Sequence, residues 1–369
     1  MKFIVERDEL LKTLQVAHGV VERRQTLPIL SNLLLTLHNG KLSVTGTDME
    51  VELVAQTELS DSSDGEITVP ARKFLDICRA LPNGSQIDFK LNEDRVSIRS
   101  GRSRFNLATL PAADYPSTDA IVDAAVLEVK QGALKTLFDL TQFAMAHQDV
   151  RYYLNGLLLE IGKDSLRAIA TDGHRLAMAE CDLESGFSGE PRQIIVPRKA
   201  VLELSRLLST DDSLLQLEVG ANAVRARLAQ TQLTSKLIDG RFPDYDRVIP
   251  DLDQCDKIIS VEREALRQSL ARASILSNEK YRAIRLNLEK GVLRILANNP
   301  DQEEAEDELE IDYDGEAIEI GFNVSYLIEA LAVLPSDIAR VHFSDASSSC
   351  LIRGGDREDC QYVVMPMRL

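Results

Sequence analysis

The stretches VPARKFLDICRAL (69–81), VPRKAVLELSRLL (196–208) and FNVSYLIEALAVL (322–334) share one pattern: a short strand-like start that runs into an amphipathic helix. Asp76, Glu203 and Glu329 hold matching places in them, 127 and then 126 residues apart. A period that long repeats a whole domain rather than the unit of about 20–50 residues found in solenoids. Earlier helical segments fall in step: ELLKTL (9–14), GALKTL (132–137) and ALRQSL (265–270). Between them lie strand-type runs broken by turn residues. They are 33–44 around Asn39-Gly40, 157–169 around Gly162-Lys163-Asp164, and 284–296 around Lys290-Gly291. Each third therefore reads strand, helix, several strands, helix, several strands. That order predicts an α+β fold of three similar domains, 1–124, 125–253 and 254–369, each with two helices on one side of antiparallel sheets.

The chain has 369 residues, 44% hydrophobic and 27% charged, an ordinary balance for a globular protein. No apolar run approaches the roughly 20 residues that cross a bilayer. The start, MKFIVER, is charged too soon for a signal peptide and reads as a strand, so a cytoplasmic protein is expected. Five scattered cysteines without a CxxC pair favour reduced structural thiols over a disulfide framework or a zinc site.

A net charge of −17 argues by itself against nucleic acid, because phosphate binding relies on Lys and Arg. The distribution says more than the sum. Residues 95–104 carry four arginines and no acid, and residues 301–319 carry eleven acids and no base. Blocks of opposite sign either sit on separate solvated faces or pair with each other, within a chain or between chains. The helix faces are patterned too. In 69–81, Phe74, Ile77, Cys78 and Leu81 mark the buried stripe, and Arg72 and Arg79 share the opposite face. Val201, Leu204, Ser205 and Leu208 repeat the stripe, which puts Lys199 and Arg206 where Arg72 and Arg79 were. Lys12 and Lys135 occupy the fourth place of the earlier helical segments and Arg267 the third place of its own. Repetition of basic residues at matched sites points to a phosphate-facing surface, weaker in the third copy, where Ser325 and Ala332 stand.

Thr171-Asp172-Gly173-His174-Arg175 invites a catalytic reading, with His174 as base and Asp172 as its orienter. No nucleophile elbow, phosphate-cradling glycine loop or HExxH spacing accompanies it, so a non-enzymatic protein without cofactor or metal is expected.

Several tracts resemble the bacterial DNA sliding clamps, the DNA polymerase III beta subunits. They are TLPIL (26–30), RSGRSRF (99–105), QDVRYYLNG (148–156), TDGHRL (171–176), GRFPDY (240–245), ILSNEK (275–280), NNP (298–300) with the acids after it, and YVVMPMRL (362–369). The resemblance spans the chain, in family order. It implies a head-to-tail homodimer of three-domain chains, a six-domain ring around duplex DNA with twelve helices lining the hole. DNA contacts would come from Arg24, Arg72, Arg79, Gln148, Tyr152, Tyr153 and Lys199. Ring closure would set Lys73, Arg95, Arg102 and Arg104 against Asp301, Glu303, Glu304 and Asp307, with Phe105 and Leu107 packing near Ile275 and Leu276. Polymerases, the clamp loader and repair proteins would dock short peptides resembling Gln-Leu-x-Leu-Phe. The implied pocket comprises Leu154, Thr171, Gly173, His174, Arg175, Leu176, Pro243, Arg247, Val248, Asn323, Tyr326, Ser349, Val363, Val364, Met365, Pro366, Met367 and Arg368. Tyr281 departs from the family pattern, standing where Phe is expected. The alternative is an acidic interaction scaffold with no topological link to DNA.

Overall fold

The computed structural model describes residues 1–22, 27–118, 120–184 and 186–368. Among them are six α-helices: α1 (Arg7–Ala17), α2 (Ala71–Ala80), α3 (Gln131–Thr141), α4 (Arg198–Leu207), α5 (Arg263–Ser274) and α6 (Val324–Val333). No helix of these residues is long and apolar enough to cross a membrane. The chain forms two compact units, Met1–Gly132 with Lys199–Leu237, and Ala133–Arg198 with Ile238–Leu369.

In the first unit, a five-stranded antiparallel sheet runs Ser62–Ser63, Lys2–Glu6, Gln86–Asn92, Arg95–Ser100, Ser103–Ala108. An eight-stranded sheet joins two meanders of four. One runs from Ala125–Lys130 to Thr231–Lys236, the other from Val51–Glu58 to Gly65–Pro70. The joint is the antiparallel pairing of Thr231–Lys236 with Val51–Glu58, in register Leu233↔Leu53 and Thr234↔Glu52. Strand alternation sends one face of each strand inward. Asn39 and Gly40, at φ 50° and 76°, make the tight turn that the Asn-Gly pair favours. Leu10 and Leu14 of α1 and Phe74, Leu75 and Cys78 of α2 pack with Phe3, Leu33, Val44 and Phe89 in one core. Phe3 and Phe89 stack there with centroids 4.5 Å apart. The buried stripe of α2 is Ala71, Phe74, Leu75 and Cys78, so Leu75 enters the core while Ile77 lies at its margin. That stripe of α2 is wider than the i, i+3, i+4 spacing alone suggested, because the helix packs against both α1 and the sheet strands.

The second unit repeats this plan. Its eight-stranded sheet joins the meander Arg192–Pro197 to Arg175–Asp182 with the meander Cys360–Val364 to Lys257–Glu262. The joint pairs Leu176 with Val363 and Arg175 with Val364. A four-stranded sheet runs Glu304–Glu310, Val292–Asn298, Ala283–Glu289, Ile318–Asn323.

By the repeat, Val51–Glu58, Arg175–Asp182 and Glu304–Glu310 are equivalent strands, as are Thr231–Lys236, Cys360–Val364 and Ser103–Ala108. Two of the three possible pairings between these sets are made inside the chain. Glu304–Glu310 and Ser103–Ala108 are left as sheet edges.

Candidate functional site

The tight turn before Arg175–Asp182 is built by its own side chains. Thr171 Oγ1 donates to the Arg175 carbonyl at 2.6 Å. Asp172 Oδ1 accepts the N–H groups of His174 and Arg175 at 2.9 and 3.0 Å, and its Oδ2 accepts from Arg175 Nε at 3.1 Å. Asp172 is thus engaged as a turn cap and does not orient the His174 imidazole, which removes the geometric basis of the catalytic pair. Gly173 sits at φ +87°, and a Cβ there would come within 2.8 Å of the Arg151 guanidinium. Only glycine meets both demands without strain.

Arg175 is the hub of the surroundings. Its side chain is 10% exposed and donates to Glu329 of α6 at 2.5 Å and to the Phe143 carbonyl at 2.7 Å. Its guanidinium lies 4.6 Å from the Tyr326 ring centre and 5.1 Å from that of Phe143. The His174 and Tyr326 rings stack with centroids 6.5 Å apart. Burial pushes the Tyr326 hydroxyl above its ordinary pKa.

Beside this hub lies a cavity of about 220 Å³. Nine of the expected pocket residues line it: Leu154, Thr171, Gly173, Arg175, Leu176, Pro243, Val248, Val363 and Met365. Strand alternation turns Val364 away into the core, 1% exposed. Asn323 accepts Ser325 N–H at 3.0 Å as the N-cap of α6, while Arg247 reaches Asp244 at 2.7 Å. His174, Tyr326, Ser349, Pro366, Met367 and Arg368 stand outside the lining. The Met367 N–H donates to Gly321 at 2.8 Å and fastens the terminal segment as a β-bridge.

The lining also includes Arg151, Tyr153, Asp244 and Tyr245, which the sequence reading did not place here. Tyr153 was expected against DNA. On the short 3-10 turn Tyr152–Leu154 the two rings meet edge to face with centroids 5.8 Å apart, Tyr152 exposed and Tyr153 lining the pocket. Arg151 grips Asp149 with Nε and Nη2 at 3.0 and 2.8 Å. That hydrogen bonding, led by the Arg151 side chain, lowers the Asp149 carboxyl to about 2.

Of the expected phosphate contacts, Arg24 lies outside the described residues. Arg72 and Arg79 are exposed on α2, each loosely paired with Asp76 at 3.8 and 3.9 Å. Gln148 is exposed at φ 57°. Lys199 is engaged within its unit. It donates to the Val20 carbonyl at 3.0 Å, to Glu22 at 2.8 Å and to Asp48. Burial works to lower its pKa, and the bonds to Asp48 and Glu22 outweigh it and raise it.

The free strand edges carry opposite charge. Arg95, Arg102 and Arg104 are exposed at or beside Ser103–Ala108, and Lys73 is exposed on α2. Asp301, Glu303 and Glu304 are exposed at the start of Glu304–Glu310, whereas Asp307 is held by Arg272 at 2.5 Å. Ile275 is 76% exposed, Leu276 and Phe105 half-buried. Leu107 shares the strand face of Phe105 and packs into the core of its own unit, 8% exposed.

Models of the DNA polymerase III beta subunit match the chain over residues 1–119 (N-terminal domain), 128–244 (central domain) and 246–368 (C-terminal domain). The chain is 51% identical over 371 residues to a beta sliding clamp of Pseudomonas putida and 50% identical over 370 residues to one of Escherichia coli K12, covering 100% of each. A crystal structure of a DNA polymerase sliding clamp from Pseudomonas aeruginosa with ligand superposes with a TM-score of 0.96 at 50% identity, covering 100% of both chains. A sliding clamp from the same organism bound to griselimycin gives 0.96 at 51%. Domain for domain and over its full length, the chain belongs to the DNA polymerase III beta subunits, the bacterial sliding clamps.

Proposed function

We propose that two copies of this chain close head to tail into a ring that encircles duplex DNA and holds the replicative polymerase on it, without catalysis and without a cofactor. The observation that carries this is the pair of unused strand edges. Two joints of one design are made inside the chain, and Glu304–Glu310 with Ser103–Ala108 are the halves of a third. Both halves are sheet edges in one copy, and two copies can pair them through a heterologous contact that closes by rotation. Exposed edges invite such pairing. Here the charges select the partner: Arg95, Arg102, Arg104 and Lys73 against Asp301, Glu303 and Glu304, with Ile275, Leu276 and Phe105 supplying apolar contact. Asp307 joins through the Arg272 it already holds.

In this assembly the domains are 1–124, 125–253 and 254–369, and the basic helix faces carrying Arg72 and Arg79 look toward the duplex with Arg24, Gln148 and Tyr152. A topological link needs no tight phosphate binding, which reconciles the function with a net charge of −17. The cavity at Leu176 and Met365 takes peptides resembling Gln-Leu-x-Leu-Phe from polymerases, the clamp loader and repair proteins. Its Met365 repacks easily around different partners. The protein works in the cytoplasm, where the chromosome is.

The test is retention on DNA. The protein is loaded onto nicked circular plasmid with a clamp loader and ATP, and the plasmid is then linearised. Retention on the circle with rapid loss from the linear form is the expected result. Equal retention on both forms would replace the ring with ordinary electrostatic binding. Retention on neither, beside a control clamp that loads, would leave an acidic scaffold.

A further inference from the structure

The repeat builds the same turn at both internal joints. Thr47-Asp48-Met49-Glu50-Val51 leads into Val51–Glu58 as Thr171-Asp172-Gly173-His174-Arg175 leads into Arg175–Asp182. The agreement extends to single bonds. Thr47 Oγ1 donates to the Val51 carbonyl at 3.0 Å, matching Thr171 and Arg175. Asp48 Oδ1 accepts the N–H groups of Glu50 and Val51 at 2.9 and 2.7 Å, matching Asp172. Lys236 N–H donates to the Glu50 carbonyl, and Met365 N–H to that of His174, each at 2.9 Å. The first joint also holds a cavity, about 130 Å³ beside the 220 Å³ of the second. A cavity of roughly 150 Å³ is enough for a benzene-sized group, so the smaller one has room for a single side chain.

The same frame carries different chemistry. Where the second joint has His174, Arg175 and Leu176, the first has Glu50, Val51 and Glu52, and Lys236 replaces Met365. Met49 stands in the place of Gly173, at φ 76° and 48% exposed at the cavity mouth. A side chain in the left-handed region is strained, and such strain gathers at binding sites. Glycine satisfies this turn at the second joint. The methionine adds nothing to the turn, but it puts a flexible, polarisable thioether over the opening.

We infer that the cavity at Met49, Glu50, Glu52 and Pro116 is a second peptide-docking site, taking a short extended segment with Lys or Arg next to one apolar side chain. Glu50 and Glu52 outnumber the one cation of the lining, Lys236, and select the basic residue, and the small cavity lined by Val51 and Pro116 takes the apolar one. Segments of the kind that fit the pocket at Leu176 are excluded here by its size and its acidic rim. The site lies within one compact unit of a single chain, so it does not depend on ring closure.

A fluorescein-labelled hexapeptide of alternating lysine and photo-leucine, irradiated with the full-length protein and mapped by mass spectrometry, tests this directly. Saturable cross-links at residues 49–52 or 116–118 are expected. Glu50→Gln combined with Glu52→Gln should weaken its binding about tenfold. The same variant should leave a Gln-Leu-x-Leu-Phe peptide bound as before. Cross-links confined to the surroundings of Leu176 and Met365, the absence of any saturable cross-link, or full binding by the double variant would each overturn the inference.

Discussion

The Arg175 guanidinium donates to the Glu329 carboxylate at 2.5 Å, tying the turn that opens the strand Arg175–Asp182 to the face of α6. Glu329 is the residue that aligns with Asp76 and Glu203 in the repeat, and it holds Arg175 of the pocket wall in place. Arg175→Ala leaves the Phe143 carbonyl and one Asp172 oxygen without their donor. A loss of about 2 kcal/mol in stability is expected, seen as a lower Tm in thermal unfolding. Partner-peptide affinity should fall with it in calorimetry. An Arg175→Ala protein that keeps both values would show that the hub is ornamental.

Gly173→Ala places a Cβ at φ +87°, against the Arg151 guanidinium. A cost of about 1 kcal/mol is expected from the backbone alone. Because Arg151 lines the pocket, peptide binding should weaken more than stability does, which titration calorimetry beside chemical denaturation separates.

Asp149 titrates near 2 because Arg151 holds it, well below the ordinary 3.8. A folded-state pKa lowered in this way gives a contribution that is present above the ordinary value and lost as pH falls from about 4 through 2. The turn Tyr152–Leu154 should therefore keep its order down to about pH 4 and loosen below it. Carbonyl NMR shifts of Asp149 follow the titration. In Arg151→Ala its midpoint should return toward 3.8, and an unmoved midpoint would exclude Arg151 as the cause.

Lys199 was expected to face phosphate, and its bonds to Asp48 and Glu22 predict a structural effect first. Asp48 has only 7% of its side chain exposed, and Lys199→Ala removes one of its three donors. About 1 kcal/mol of stability should be lost. Binding to linear DNA should change less for Lys199→Ala than for Arg79→Ala, as read by fluorescence anisotropy at fixed salt.

Ile275 and Leu276 carry the apolar part of the proposed closure. Their joint replacement by Ala removes surface worth about 2 kcal/mol, enough to raise the dimer dissociation constant by roughly 30-fold. Analytical ultracentrifugation reads this. Arg102→Glu should instead slow association and flatten its salt dependence, because rim charges act on encounter more than on residence and less attraction is left for salt to screen. A dimer indifferent to both changes would place the closure elsewhere.

The 127- and 126-residue spacing, the helix stripes and the turn pairs at Asn39-Gly40 and Lys290-Gly291 are local regularities, and local periodicity is what a sequence records. They determined the α+β class, the three-fold repeat, the basic face of α2 and the charge of both free edges. Whole-chain resemblance supplied nine of the residues that line the cavity at Leu176 and left out Arg151, Tyr153, Asp244 and Tyr245. What only the tertiary structure decided concerns which side of a strand or loop meets which neighbour. Leu107 lies in a core, Val364 turns from the pocket, Tyr153 lines the pocket while Tyr152 stays exposed, and Lys199 meets two acids distant in sequence. The likeness of Met49 to Gly173 was equally out of reach. It is expressed in a dihedral angle and in hydrogen bonds across a strand joint, and neither leaves a pattern along the chain.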